Sequence, residues 1–133
     1  MSPELELQGE IVNLLRTTPA VTDLVDMRVY DAVPDTREFP FISMGATIST
    51  TEEIDCIDSI VISMQIDVWS REVGFPEVKE IADVVRKTVR GLEELQVNSL
   101  VRIDHNTTTT MRDPDGQTSH SVMIFEAMVE RVE

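Results

Sequence analysis

Residues 59–68 carry the clearest pattern in the chain. Ile60, Ile62, Met64, Ile66 and Val68 share one side, and Ser59, Ser63, Gln65 and Asp67 share the other. A period of two predicts a strand with one buried face. Pro40-Phe41 opens an earlier strand, in which Ile42, Met44, Ala46 and Ile48 alternate with Ser43, Gly45, Thr47 and Ser49. Residues 50–58 lie between these strands. They hold four acids and no base, and they predict a protruding hairpin loop. Arg28 to Val33 reads as a short strand ending at Pro34.

The helices follow a different period. Ser2-Pro3-Glu4 places a capping hydroxyl, a first-turn proline and an acid at a helix start, and Leu7, Ile11, Leu14 and Leu15 follow at helical spacing. This helix should end near Thr17, with a short helical turn over residues 20–25. Glu77 to about Leu92 predicts the second main helix. Its apolar stripe is Val78, Ile81, Ala82, Val85, Val89 and Leu92, with early acids and late bases as the helix dipole favours.

Two strands close the chain, at roughly 100–112 and 117–131, joined by Asp113-Pro114-Asp115-Gly116. A plain two-residue turn here would send their apolar sets to opposite faces. A type I turn with a left-handed bulge at Gly116 repairs this. It places Ile103 opposite Ala127, Val101 opposite Val129, His105 opposite Phe125 and His120 opposite Thr110. Asp104 then faces Glu126, which requires compensation from Arg102 or a neighbouring subunit. The element order implies a single α+β domain over residues 1–133: a mainly antiparallel sheet with two main helices packed on one face.

Charge narrows the function. The net charge is −14. Residues 1–58 hold 12 acids against 3 bases, and residues 59–133 hold 13 against 8. Such a surface repels phosphate backbones, so tight nucleic-acid binding is not expected, while contact with DNA in transit is not excluded. One cysteine, Cys56, makes an internal disulfide impossible and fits a reducing cytoplasm. No apolar stretch reaches membrane-spanning length, and the acidic N-terminus lacks the basic start of a signal peptide.

Catalytic chemistry finds no foothold. His105 and His120 sit far apart on the deduced ladder, so a shared metal is not expected. The acids around Cys56 disfavour its thiolate. There is no nucleophile elbow and no phosphate-binding glycine loop. Arg86, Lys87 and Arg90 form the basic cluster, explained by the helix dipole and an Asp83–Lys87 pair. Trp69 suits either a core or an interface. We therefore expect no catalytic residue, cofactor or metal. The candidate contact segment is Thr51, Glu52, Glu53, Ile54, Asp55, Ile57 and Asp58, because two isoleucines on an acidic arm need cover.

Several segments in order carry a family resemblance. They are Ser2-Pro3-Glu4-Leu5, Arg28-Val29-Tyr30-Asp31-Ala32-Val33-Pro34, Phe39-Pro40-Phe41-Ile42, Asp67-Val68-Trp69-Ser70, Glu77-Val78-Lys79, and Arg112-Asp113-Pro114-Asp115-Gly116 before His120-Ser121-Val122. Together they resemble the small tail-completion, or tail terminator, proteins of long-tailed phages and gene transfer agents. The resemblance implies a tail-terminator-like fold and a structural role in the virion tail. It also implies a homo-oligomeric ring, usually a hexamer, on the head-proximal end of the tail tube. The implied partners are the tail tube protein, a neck or head-completion protein, and DNA that passes without specific binding. The implied site of assembly is the host cytoplasm. A head–tail connector of the neck and a small soluble enzyme or ligand-binding domain are the competing readings.

Overall fold

The computed structural model describes residues 1–54 and 57–132. The elements are α1 (Pro3–Thr17), α2 (Pro19–Val25), β1 (Val29–Tyr30), β2 (Phe41–Ile54), β3 (Ile57–Ser70), α3 (Pro76–Arg90), β4 (Ser99–Arg112) and β5 (Ser119–Glu130). The strands form one sheet in the order β1-β2-β3-β5-β4, antiparallel except for the short β1–β2 pair. This is the α+β architecture that the element order implies.

Local chemistry sets the helix ends. Ser2 Oγ accepts the Leu5 N–H at 3.3 Å, and Pro3 stands at the first turn of α1. Pro76 does the same for α3, which ends at Gly91. The helices bury one stripe each: Leu7, Ile11 and Leu15 from α1; Val78, Ile81, Val85 and Val89 from α3. These meet Ile60, Ile62, Met64, Ile66 and Val68 of β3 and Met123, Phe125, Ala127 and Val129 of β5 in one core cluster. Burying a side chain of this size contributes about 1.5–3 kcal/mol, so the stripe pattern dominates the choice of fold.

Four expectations need correction. Within the expected loop over 50–58, residues 50–54 and 57–58 are strand: Thr50 pairs with Val61, Thr51 with Ile60, Glu52 with Ser59, Glu53 with Asp58 and Ile54 with Ile57. Acids do not prevent strand pairing where a side chain reaches water, as Glu52 and Asp58 do, and Thr50, Thr51 and Ile54 are β-branched by sequence. Asp55 and Cys56 lie outside the described residues. Second, Ile48 does not share a face with Ile42 and Met44. The register shifts between Met44 and Thr47, which turns Ile48 to the other side at 67% exposure. Gly45 sits at this irregularity because a Cβ there would lie 2.8 Å from Asp67 Oδ2 and 3.0 Å from the Gln65 side chain.

Third, the final hairpin turn is one residue longer than a type I turn with a bulge. Asp113 N–H donates to Thr118 O at 2.8 Å, and Gly116, at φ +74°, donates to Asp113 O at 3.0 Å. Asp115 accepts from Gln117 N–H, Thr118 N–H and Thr118 Oγ, which fixes the extra residue in the turn. His120 therefore faces Met111, not Thr110. A shift at Asn106 restores the expected pairs Ile103–Ala127, Asp104–Glu126 and His105–Phe125. A second shift at Val101 places Leu100, not Val101, opposite Val129. The Asp104–Glu126 conflict is resolved within the chain, because Arg102 bonds both carboxylates at 2.8 Å. Fourth, the strand expected over 28–33 pairs only at Val29 and Tyr30. Arg28 Nε is occupied with Pro40 O at 2.8 Å, so the side chain pins the strand start while the chain leaves the sheet.

One buried acid ties the first helix to the approach of β4. Glu6 is 4% exposed and accepts from Val97 N–H at 2.6 Å, Asn98 N–H at 2.9 Å and Asn98 Nδ2 at 3.0 Å. Burial opposes its ionisation, but the donors from Asn98 and Val97 outweigh it and lower the pKa. A carboxyl lowered in the folded state stabilises above its unfolded value of about 4.3, and that contribution is lost as pH falls through the folded value. Glu6→Ala is expected to cost about 3 kcal/mol through unpaired buried N–H groups, read as a lower Tm. Glu6→Gln should flatten the acid limb of Tm against pH; an unchanged limb would remove this role.

Candidate interaction surface

All three helices cover one face of the sheet, leaving the other face open. Odd residues of β3 and even residues of β5 point into the open side. There Val61, Val122, Ile124 and Met128 are half-buried among polar neighbours. The acids Glu52, Asp104, Glu126 and Glu130 share this face with Arg102. The bases of α3 are on the helical side, where Lys87 and Arg86 bond Asp83 at 2.9 and 3.3 Å. Those bonds lower the Asp83 pKa, as the sequence pairing implies.

One end of the open face is built around Asp67. This carboxylate is 5% exposed and accepts from Gln65 Nε2 at 2.9 Å and bonds His120 Nε2 at 2.7 Å. His120 stacks on Trp69 with ring centroids 3.6 Å apart, and Trp69 Nε1 donates to Ser43 Oγ at 2.9 Å. Phe41 and Phe39 extend the aromatic row. Trp69 is thus neither wholly core nor bare surface. The sequence reading missed this cluster because Trp69 and His120 meet only through β3–β5 pairing, where they are direct partners. A search for polar residues flanking the apolar strand ends would have put both on one short list.

A cavity of about 270 Å³ lies beside this cluster, floored by Phe39, Phe41 and Trp69 and rimmed by Arg37, Arg71 and Asp115. Arg71 lies over Phe39 at 4.2 Å and bonds Thr118 Oγ1 at 3.3 Å. The polar groups here are occupied structurally: Ser43 receives the indole N–H, His120 is held by Asp67, and the Thr118 hydroxyl donates to Asp115 within the turn. Among the described residues, no group of three His, Cys, Asp or Glu side chains could hold a metal ion. No described helix is long and apolar enough to cross a membrane.

The opposite end of the sheet carries the candidate contact segment. Ser59 is the last β3 residue paired with β5, so the pairs Glu53–Asp58 and Ile54–Ile57 run past the end of β5 as a two-stranded ribbon. Arg131 steadies its base, with N–H to Asp58 O at 2.9 Å and Nε to Asp58 Oδ2 at 3.5 Å. Ile57 is 46% exposed and Thr51 and Glu52 are exposed. The structure brings Thr51, Glu52, Glu53, Ile54, Ile57 and Asp58 into one ribbon, while Asp55 lies outside the described residues.

Comparison with known proteins accords with this architecture. A family model described as tail completion protein gp17 matches residues 9–130. A chain in the solved structure titled "Virion of native gene transfer agent (GTA) particle" matches with a TM-score of 0.88 at 24% identity, covering 96% of each chain. At that identity the likeness is one of fold. A search of curated proteins returned no match.

The turn that rims the cavity is open to direct test. The bonds from the Thr118 hydroxyl, Thr118 N–H and Gln117 N–H hold the Asp115 pKa down to about 2. Its stabilising contribution is therefore complete above about pH 3.9 and fades as pH falls toward 2. Asp115→Ala is expected to lower Tm at pH 7 and to match the parent near pH 2; a constant difference across that range would contradict the assignment.

Proposed function

The chain belongs to the tail completion protein gp17 family and is a structural tail-completion protein; from that premise we propose that it is the tail terminator, capping the head-proximal end of the tail tube. Copies form a homo-oligomeric ring, six in number, that stops tube polymerisation and presents a surface to the neck or head-completion protein. DNA passes through the lumen without specific binding, and assembly takes place in the host cytoplasm. The observation that carries this reading is a family match over nearly the whole chain. The −14 charge supports it, because a conduit wall should repel DNA rather than release its counterions. The protein has no catalytic role in this reading.

The ribbon at residues 51–58 contacts the tube or a neighbouring subunit. Its exposed Ile57 beside acids suits a surface that is covered on assembly and soluble before it. Replacing residues 53–58 by Asn-Gly keeps Glu52–Ser59 as the closing pair and preserves the register of the sheet. The shortened protein is expected to fold normally and to lose tail termination, seen as overlong tubes by electron microscopy. Normal termination would remove the ribbon from assembly. Tails made without the protein should be overlong and headless; tubes of normal length that fail only at joining would assign the chain to the neck instead.

A further inference from the structure

The two edges of the sheet differ from its interior in what remains unpaired. β1 covers β2 only at Ile42 and Ser43, so the outer backbone of β2 is free from Thr47 to Ile54. β4 is the other edge, and beyond its irregularity at Asn106 it runs regularly from Thr107 to Arg112. Long unpaired edges invite pairing, and proteins that stay monomeric blunt them.

Strand direction decides which edges fit. The four long strands alternate in the order β2-β3-β5-β4. An even number of alternating strands makes the two edge strands antiparallel to each other. Around a rotation axis roughly along the strands, β4 of one copy therefore meets β2 of the next in antiparallel sense. The alternation then continues without a break. We infer that the subunits join edge to edge, β4 on β2 of a second copy, closing one continuous barrel; this rests on the ring reading above.

The chemistry of the edges agrees. The free stretch of β2 carries Thr47, Ser49, Thr50 and Thr51, and that of β4 carries four consecutive threonines, Thr107 to Thr110. Threonine and serine pairs across strands are favourable. Glu52 and Glu53 are the charges on one stretch and Arg112 on the other, so no register opposes like charges. The two regular stretches are not level across the sheet, so neighbouring copies are offset along the strands, which is the tilt that barrel closure needs.

Closure also assigns the faces. The helices form a second layer, which has room only at the larger radius, so the open face lines the lumen. That wall carries Glu52, Asp104, Glu126 and Glu130 against Arg102, while Arg86, Lys87 and Arg90 stay outside on α3. With six copies the barrel has 24 strands. At a strand spacing of about 4.8 Å its backbone would be about 37 Å across before tilt. That leaves an aqueous channel after side chains are placed.

The test uses the full chain with Cys56→Ser, carrying Thr50→Cys and Thr109→Cys, both on the open face, assembled on tail tubes. A short bifunctional maleimide should give a covalent ladder in multiples of the 15.0 kDa chain up to the closed ring. Each single-cysteine variant should stay uncrosslinked. Dimers from Thr109→Cys alone would mean β4 on β4, dimers from Thr50→Cys alone would mean β2 on β2, and either overturns the inference. Rings without crosslinks overturn it while the ring reading stands. Failure of the unsubstituted protein to form rings on tubes overturns both. Hydrogen exchange on the unsubstituted protein guards against a disruptive substitution: amides of 47–51 and 107–111 should slow together on assembly, and slowing at only one or neither rejects the pairing.

Discussion

β3 is the strand on which the rest of the structure depends. It is paired on both sides along most of its length, by β2 and by β5, and its two faces do different work. The even residues from Ile60 to Val68 fill the core against the helices. The odd residues Gln65, Asp67 and Trp69 build the polar and aromatic cluster on the open face. A slip of one residue would exchange the two sets, burying Asp67 among isoleucines, so a single register is strongly favoured. The Gly45 irregularity in β2 exists beside this strand: the neighbour gives way where β3 cannot.

Elements governed by local chemistry were legible in the sequence. The start of α1 at a serine cap, its end at Thr17, the stripe of α3 and the alternation of β3 all follow from side chains close in sequence. So did the three central pairs of the last hairpin and the Arg102 compensation, because inward-facing apolar residues constrain that register. Legibility failed where backbone irregularity or partner choice decided the outcome. The extra turn residue at Gln117 depends on which N–H groups Asp115 captures; the shift at Asn106 then undoes its effect on register, and the shift at Val101 departs from the expected register in the other direction. Counting acids over 50–58 mistook paired strand at 50–54 and 57–58 for loop, since charge says where a segment is wet and not whether its backbone is paired. The Trp69–His120 stack could not be seen before β3 and β5 were known to be neighbours.

Within a chain of 133 residues the two faces of the sheet divide the work. Stability rests on the helical face, where no buried side-chain nitrogen or oxygen among the described residues lacks a hydrogen bond. The open face and the ribbon carry acids, threonines and half-buried apolar groups, so apolar area there is flanked by charge. With 25 acids against 11 bases, copies of the chain repel one another at long range.

The lone tryptophan gives the molecule a built-in optical reporter. Trp69 is the chain's one indole, and it stands at a single end of the sheet with its ring face against an imidazole and its N–H on Ser43. Its emission therefore comes from one defined place. The brightness and colour of that emission follow the packing and polarity at this end of the sheet. The ribbon, some 13 ladder steps away at the far end of β2, is optically silent. Light from this protein thus distinguishes events at its two ends without any added label.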